Sequence, residues 1–284
     1  MIHGISIDVE DWYQSTFDPD APLTERFERS TDQVLACLAE THTKGTFFVL
    51  GMAAEKRPSL VKRIAGEGHE IQSHGYGHRS NDDLDTKTLR QDLLRAKELL
   101  EDITGQEIYG YRAPSFSINK GNMWALDVLA ETGHRYDSSI FPIKMPRYGV
   151  ADYPMAPAVV ETPSDRRIVE APVAVFTALG KRVPVGGGGY FRLWPYAVIR
   201  QAWRQMEKSG RPGIAYIHPY EYDPTEMSQY RHLVSIKGRI HQGLGRRSLP
   251  KKVRRLLSDF TFGPIREVIA DQLHQLATPS NQGL

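Results

Sequence analysis

Residues 60–78 read Leu60-Val61-Lys62-Arg63-Ile64-Ala65-Gly66-Glu67-Gly68-His69-Glu70-Ile71-Gln72-Ser73-His74-Gly75-Tyr76-Gly77-His78. Leu60 and Ile64 keep a helical spacing, Gly68 suits a helix C-cap, and the strand-like run His69–Ser73 ends on two imidazoles four positions apart. A helix, a glycine, a strand and a strand end loaded with chemistry form the repeating unit of an α/β fold. Two such histidines can hold a divalent metal once an acidic ligand joins them. The first expected strand ends in a carboxylate cluster, Asp8-Val9-Glu10-Asp11.

The same unit recurs along the chain. Val34, Leu35 and Leu38 precede Gly45 and Thr46–Leu50; Leu89, Leu93, Ala96 and Leu100 precede Gly105 and Ile108–Tyr111; Met123, Leu126 and Leu129 precede Gly133 and Tyr136. Each glycine is expected to cap its helix, and helices alternating with short apolar strands predict a parallel sheet, open or closed into a barrel. Asp8, His74, Arg112, Asp137 and His218 all fall at or just beyond the C-terminal ends of expected strands, where barrel enzymes build their sites. A dinucleotide fold would place glycines, not carboxylates, after the first strand.

The chain has 284 residues, enough for one large α/β domain over residues 1–284 with its own core. Cys37 is the only cysteine and sits among Val34, Leu35 and Leu38, so it reads as a buried structural thiol. Disulfides within the chain are excluded, which favours a reducing compartment. Met1–Ile7 shows no basic or long apolar leader, and the expected location is cytoplasmic. No apolar run reaches the roughly 20 residues that cross a bilayer. The net charge of +2 hides a basic C-terminal extension from about residue 231: Arg231 to Arg255 carries nine Lys or Arg and no acidic residue. Such a cluster can meet phosphate groups, and the partner expected for it is an anionic lipid or a lipid-linked substrate rather than nucleic acid.

From about Pro142 to Tyr196 the chain is richer in Pro and Gly, and it includes Val183-Pro184-Val185-Gly186-Gly187-Gly188-Gly189-Tyr190-Phe191-Arg192. No Lys-Ser or Lys-Thr follows the glycines, which excludes a phosphate-binding P-loop. A mobile loop near the site is expected there.

In order, these motifs resemble the polysaccharide deacetylase, or NodB-homology, family of metal-dependent carbohydrate deacetylases, which is carbohydrate esterase 4-like. Ile7-Asp8-Val9-Glu10-Asp11 resembles its opening aspartate motif and Ser73–His78 its two-histidine motif. Tyr111-Arg112-Ala113-Pro114-Ser115 resembles its arginine-proline motif, Tyr136-Asp137-Ser138-Ser139 its later aspartate motif, and Ile214-Ala215-Tyr216-Ile217-His218-Pro219 its final histidine motif. The Asp-Val-Glu-Asp opening, Arg112–Ser117 and Gly187–Arg192 are most similar to the branch linked to exopolysaccharide and lipopolysaccharide gene clusters. The resemblance implies an α/β, incomplete (β/α) barrel of about seven parallel strands. It also implies hydrolysis of an N-acetyl group from an amino sugar in a bacterial surface polysaccharide or its precursor.

An acetamide is a poor electrophile with a poor leaving group, so its hydrolysis needs an activated water, oxyanion stabilisation and a proton for the nitrogen. The resemblance assigns Asp8 as general base, Arg112 as its partner, the Ser115 backbone N–H to the oxyanion, and His218 as general acid. Asp137 would hydrogen-bond His218 and favour its charged form. Zinc, held by His74, His78 and a carboxylate, is the expected cofactor. Most members carry two adjacent aspartates, whereas Val9 follows Asp8 here. Residues two apart on a strand point the same way, so Glu10 is the expected ligand, with Asp11 as alternative. Ser115 also stands where many members have Tyr. Two other activities remain compatible with the residues: a metal-independent small-amide hydrolase resembling allantoinase, and a non-catalytic module that binds anionic ligands.

Overall fold

The computed structural model describes residues 1–145 and 148–278. Eleven strands are present among them: β1 (His3–Val9), β2 (Thr46–Val49), β3 (Glu70–Ser73), β4 (Gly110–Tyr111), β5 (Tyr136–Asp137), β6 (Ala158–Glu161), β7 (Arg167–Glu170), β8 (Val175–Ala178), β9 (Lys181–Pro184), β10 (Ile214–Ile217) and β11 (Phe262–Gly263). The main sheet has the order β10-β1-β2-β3-β4-β5-β7-β6. Strands β10 to β7 in that order are seven parallel neighbours, while β6 runs antiparallel at one edge and β11 adds a short parallel pairing to β1. No pairing joins the two ends among the described residues, so the architecture is an incomplete (β/α) barrel.

Strand parity positions the site. On β1, Ile5, Ile7 and Val9 face the helices and enter the largest apolar cluster with Val34, Leu38, Ile199 and Trp203. Ser6 and Asp8 face the other way and meet Arg112. The alternation continues on β2, where Phe47 and Val49 join the helix-side core while Phe48 lies under the Arg112 guanidinium. On β3, Ile71 faces the helices and Glu70 bonds Thr46 across the inner face. From β10 through β5 the inner-face residues are thus even-numbered, and the turns after β3, β4 and β10 carry His74, Arg112 and His218 onward from them.

Three of the expected helix ends look as the sequence predicts: Gly68 follows Pro58–Gly66 with a positive φ and its N–H donates to the Ala65 carbonyl. Gly105 caps the helix Thr86–Thr104 in a left-handed conformation, and Gly133 follows Trp124–Glu131 with a positive φ. Gly45 has a different reason to be glycine: a Cβ there would press on the Ile5 carbonyl and the side chains of Ile5 and Ile7.

The expected mobile loop at Gly186–Gly189 is instead ordered against β10. Tyr216 N–H donates to the Gly186 carbonyl, Gly187 pairs with Tyr216, and a helix Gly188–Leu193 follows. A Cβ at Gly187 would overlap the Tyr216 backbone, so the glycines serve a close approach between backbones. The basic segment is likewise not an appendage. Arg246 is fully buried, pairing with Glu226 at 2.7 Å and donating to the carbonyls of Tyr220 and Asp223.

Candidate active site

A cleft of about 1070 Å³ opens at the C-terminal ends of the strands, and Asp8, Glu10, His74, His78, Ser115 and His218 all line it. Glu10 Oε2 lies 2.8 Å from His78 Nε2 and 3.3 Å from His74 Nε2. Ligand atoms of these three buried residues all fall within 4.8 Å of one another. His74 Nδ1–H donates to the Arg112 carbonyl at 2.7 Å, which orients the ring with Nε2 facing Glu10. The donor set, two imidazole nitrogens and a carboxylate oxygen converging on one point, fits a divalent metal. Burial alone would raise the Glu10 carboxyl, yet the imidazoles of His78, His74 and His218 hold it well below the ordinary carboxylate range.

The loop that carries both histidines has an anchor that the sequence reading did not identify. Both Asp92 carboxylate oxygens accept from the Tyr76 backbone N–H, at 2.8 and 2.7 Å, and Gly77 N–H bonds the same carboxylate. Gly75 and His78 both sit at positive φ, the turn that folds the second imidazole back over the first. Asp92 stands among Leu89, Leu93 and Ala96 on an amphipathic helix, where a lone acid gives no signal at the sequence level.

Asp11, the alternative carboxylate, is occupied elsewhere. Its side chain caps the helix Trp12–Thr16 through Tyr13 N–H and accepts from Thr24 N–H and Oγ1. Asp8 Oδ1 receives Arg112 Nη1 at 2.7 Å, while its Oδ2 lies 3.9 Å from His218 Nε2. Ser115 lines the cleft with a left-handed backbone, φ 56°.

Asp137 does not approach His218 in the expected way. Tyr136 and Ser138 face inward, Tyr136 to Glu70 and Ser138 to Arg112, so Asp137 between them faces the opposite side of the sheet. There it bonds Ser139 and, in register on the neighbouring strand β7, the carboxyl of Glu170. Burial raises Asp137 to about 6. Burial and then the Asp137 charge push Glu170 well above its ordinary range.

The residue that orients His218 is Glu221, three positions later. Its Oε2 accepts from the His218 backbone N–H at 3.1 Å and from Nδ1 at 3.2 Å. Arg192 Nε holds the other oxygen at 2.9 Å, and Tyr220 stacks on the imidazole with ring centroids 4.7 Å apart. Burial pushes the His218 imidazole down, but Glu221, Glu10 and Asp8 outweigh it and carry it up to about 9. The signal for Glu221 is His218-Pro219-Tyr220-Glu221, a capping-box spacing directly after a strand. Aromatic rings of Phe116, Tyr148, Tyr190 and Tyr220 add apolar wall to the cleft. Trp12, by contrast, is fully buried, and Trp194 packs against the core. His69 and His134 stand apart from the cleft and are both buried: His69 Nδ1 accepts from Gly45 N–H and His134 bonds Thr132.

Residues 10–136 match the family model described as polysaccharide deacetylase, and residues 138–270 match a domain of unknown function, DUF3473. A peptidoglycan-N-acetylglucosamine deacetylase of Bacillus cereus is 35% identical over 113 residues, which is 39% of this chain and 39% of that protein. The chain spans less than half the length of the curated relatives it matches. Among solved structures, a Mycobacterium smegmatis protein described as a polysaccharide deacetylase superposes with a TM-score of 0.62 at 21% identity, covering 99% of this chain and 94% of that one. The Puue allantoinase superposes with a TM-score of 0.61 at 16% identity, covering 98% and 91%. Both structural likenesses are to the fold. Motif order, the matched residues 10–136 and the fold all liken this chain to the polysaccharide deacetylase family.

Proposed function

We propose that the protein hydrolyses the N-acetyl group of an amino sugar within a surface polysaccharide or its precursor, using a divalent metal held by Glu10, His74 and His78. The observation that carries this reading is the convergence of those three ligands with the Asp8–Arg112 pair and His218 in one cleft. A bound metal, with zinc the natural choice for this donor set, would acidify water and polarise the amide carbonyl. Asp8, held in place by Arg112, accepts the proton of the attacking water. His218 Nε2 faces the same space from the other side, 3.5 Å from Glu10, and delivers a proton to the departing nitrogen. The Ser115 backbone N–H supports the oxyanion, and the aromatic rings of the cleft offer faces to a sugar.

Elemental analysis coupled to acetate release from N-acetylglucosamine oligomers tests this reading. The wild type is expected to hold about one metal per chain and to release acetate, and His74→Ala to lose both. Acetate release by metal-free protein would replace the reading with a metal-independent amide hydrolase. Metal without acetate would remove the amino-sugar substrate.

A second prediction concerns Glu221. Glu221→Gln keeps the shape of the side chain but removes the negative charge that orients and charges His218. It is expected to lower kcat about 10- to 100-fold with KM near the wild-type value. An unchanged kcat would mean that His218 is oriented without it.

A further inference from the structure

Between Glu226 and Asp259 the chain has nine Lys or Arg and no acidic residue, and the fold sorts these charges into two groups. Arg246 is buried against Glu226, Lys252 donates to the carbonyls of Arg192 and Trp194, and Arg254 pairs with Glu40. Arg231, Lys237, Arg247 and Lys251 are exposed. Interleaved with them are Leu233, Ile236, Ile240 and Leu244, which are 55%, 68%, 61% and 55% exposed. Ile236 and Ile240 lie one turn apart on the helix Ile236–Gly243, which has no buried residue. Large aliphatic side chains gathered in this way on a surface mark a contact.

This surface adjoins the active-site cleft. His241 and Gln242 of the same helix line the cleft, and Arg192, which holds Glu221, also donates to the carbonyls of Gln242 and Leu244. We propose that Leu233, Ile236, Ile240 and Leu244, with Arg231, Lys237 and Arg247, form a peripheral docking surface for an anionic lipid bilayer. Docking there brings the mouth of the cleft to saccharides carried on a lipid anchor; this statement about substrate rests on the deacetylase reading, whereas membrane binding does not.

Charge and apolarity together select the occupant. A second copy of the chain would bring two positive surfaces face to face. Nucleic acid would satisfy the basic groups and leave four aliphatic side chains in water. An anionic lipid interface takes the aliphatic groups below the headgroups and the basic groups among them. Among the described residues no helix is long and apolar enough to cross a membrane.

Co-sedimentation of the full chain with phosphatidylcholine vesicles, with and without phosphatidylglycerol, tests the proposal. Binding is expected only to the anionic vesicles. It should weaken about tenfold or more both in the double variant Ile236→Ser, Ile240→Ser and in Lys237→Glu, Arg247→Glu. These exposed side chains lie outside the catalytic machinery, so any acetate release from a soluble oligosaccharide should stay at the wild-type rate. No binding to anionic vesicles would overturn the proposal, as would binding indifferent to the serine changes, which would reveal attraction by charge alone. A dimer in solution that the serine changes dissolve would also overturn it in favour of a second copy. Vesicle binding with the stated dependences supports docking whether or not acetate is released, so a failed deacetylase reading is recognised separately.

Discussion

Arg112→Ala is expected to cost about 3–5 kcal/mol of stability and to slow acetate release at least ~100-fold in whatever protein still folds. The arginine is fully buried and uses the whole guanidinium fork. Nη1 donates to Asp8 Oδ1 and Ser6 Oγ, both at 2.7 Å; Nη2 donates to Ser138 Oγ at 2.8 Å, and Nε to the Ser138 carbonyl at 3.0 Å. The Phe48 ring lies beneath, 4.3 Å from the guanidinium carbon. Truncation leaves Asp8, 2% exposed, without its cation. A buried carboxylate stripped of its cation is costly, and Asp8 also loses the contact that holds it in place as base. Arg112→Lys would not restore the wild type, because an ammonium cannot span Ser6, Asp8 and Ser138 together. Urea denaturation and the acetate assay read the two effects. A variant within about 1 kcal/mol of wild type would show that the pair adds nothing over an alanine-sized cavity.

The second large effect runs the other way: Glu170→Gln should stabilise the protein at alkaline pH. Glu170 Oε1 accepts from Ile140 N–H, and its buried Oε2 has no partner other than the adjacent Asp137 carboxyl. One proton shared between the two carboxyls satisfies both. Because the folded pKa of Glu170 is raised, its favourable contribution is complete below the unfolded value near 4.3. It is lost as pH climbs toward the folded value, at up to about 1.4 kcal/mol per pH unit. Glutamine reproduces the protonated acid, since its amide donates to Asp137 while its oxygen still accepts from Ile140. The variant should match wild type near pH 4.5 and exceed it by a growing margin as pH rises to 8, read from denaturation midpoints at both pH values. Equal stability at both would refute the shared proton.

The same pair of carboxyls shows where sequence reading succeeds and where it stops. Glu10 was separable from Asp11 because parity on β1 puts Asp8 and Glu10 on one face, and β1 is long and regular enough for parity to hold. Applied to β5, parity would have turned Asp137 away from His218; motif resemblance alone joined them. Glu221 was hidden for another reason, since the turn His218–Tyr222 brings it back onto its own strand end. β7 was missed because Arg167–Glu170 is four residues within a stretch rich in Pro and Gly. The four glycines read as slack chain because a glycine in contact with a backbone and a glycine in solvent are the same letter. The basic run was legible as charge, whereas the division between buried Arg246 and exposed Lys237 depends on the tertiary fold.

The placement of β10 beside β1 bears on how a working molecule comes off the ribosome. Ser6 Oγ reaches the Ala215 carbonyl across 209 positions of sequence, so β1 keeps an open edge until the later half of the chain has been made. Glu10, His74 and His78 all emerge early, whereas His218 and Glu221 emerge late. The proposed metal ligands therefore leave the ribosome before the proposed proton donor. A chain that stalls before residue 214 would carry the proposed metal ligands and lack the proposed proton donor.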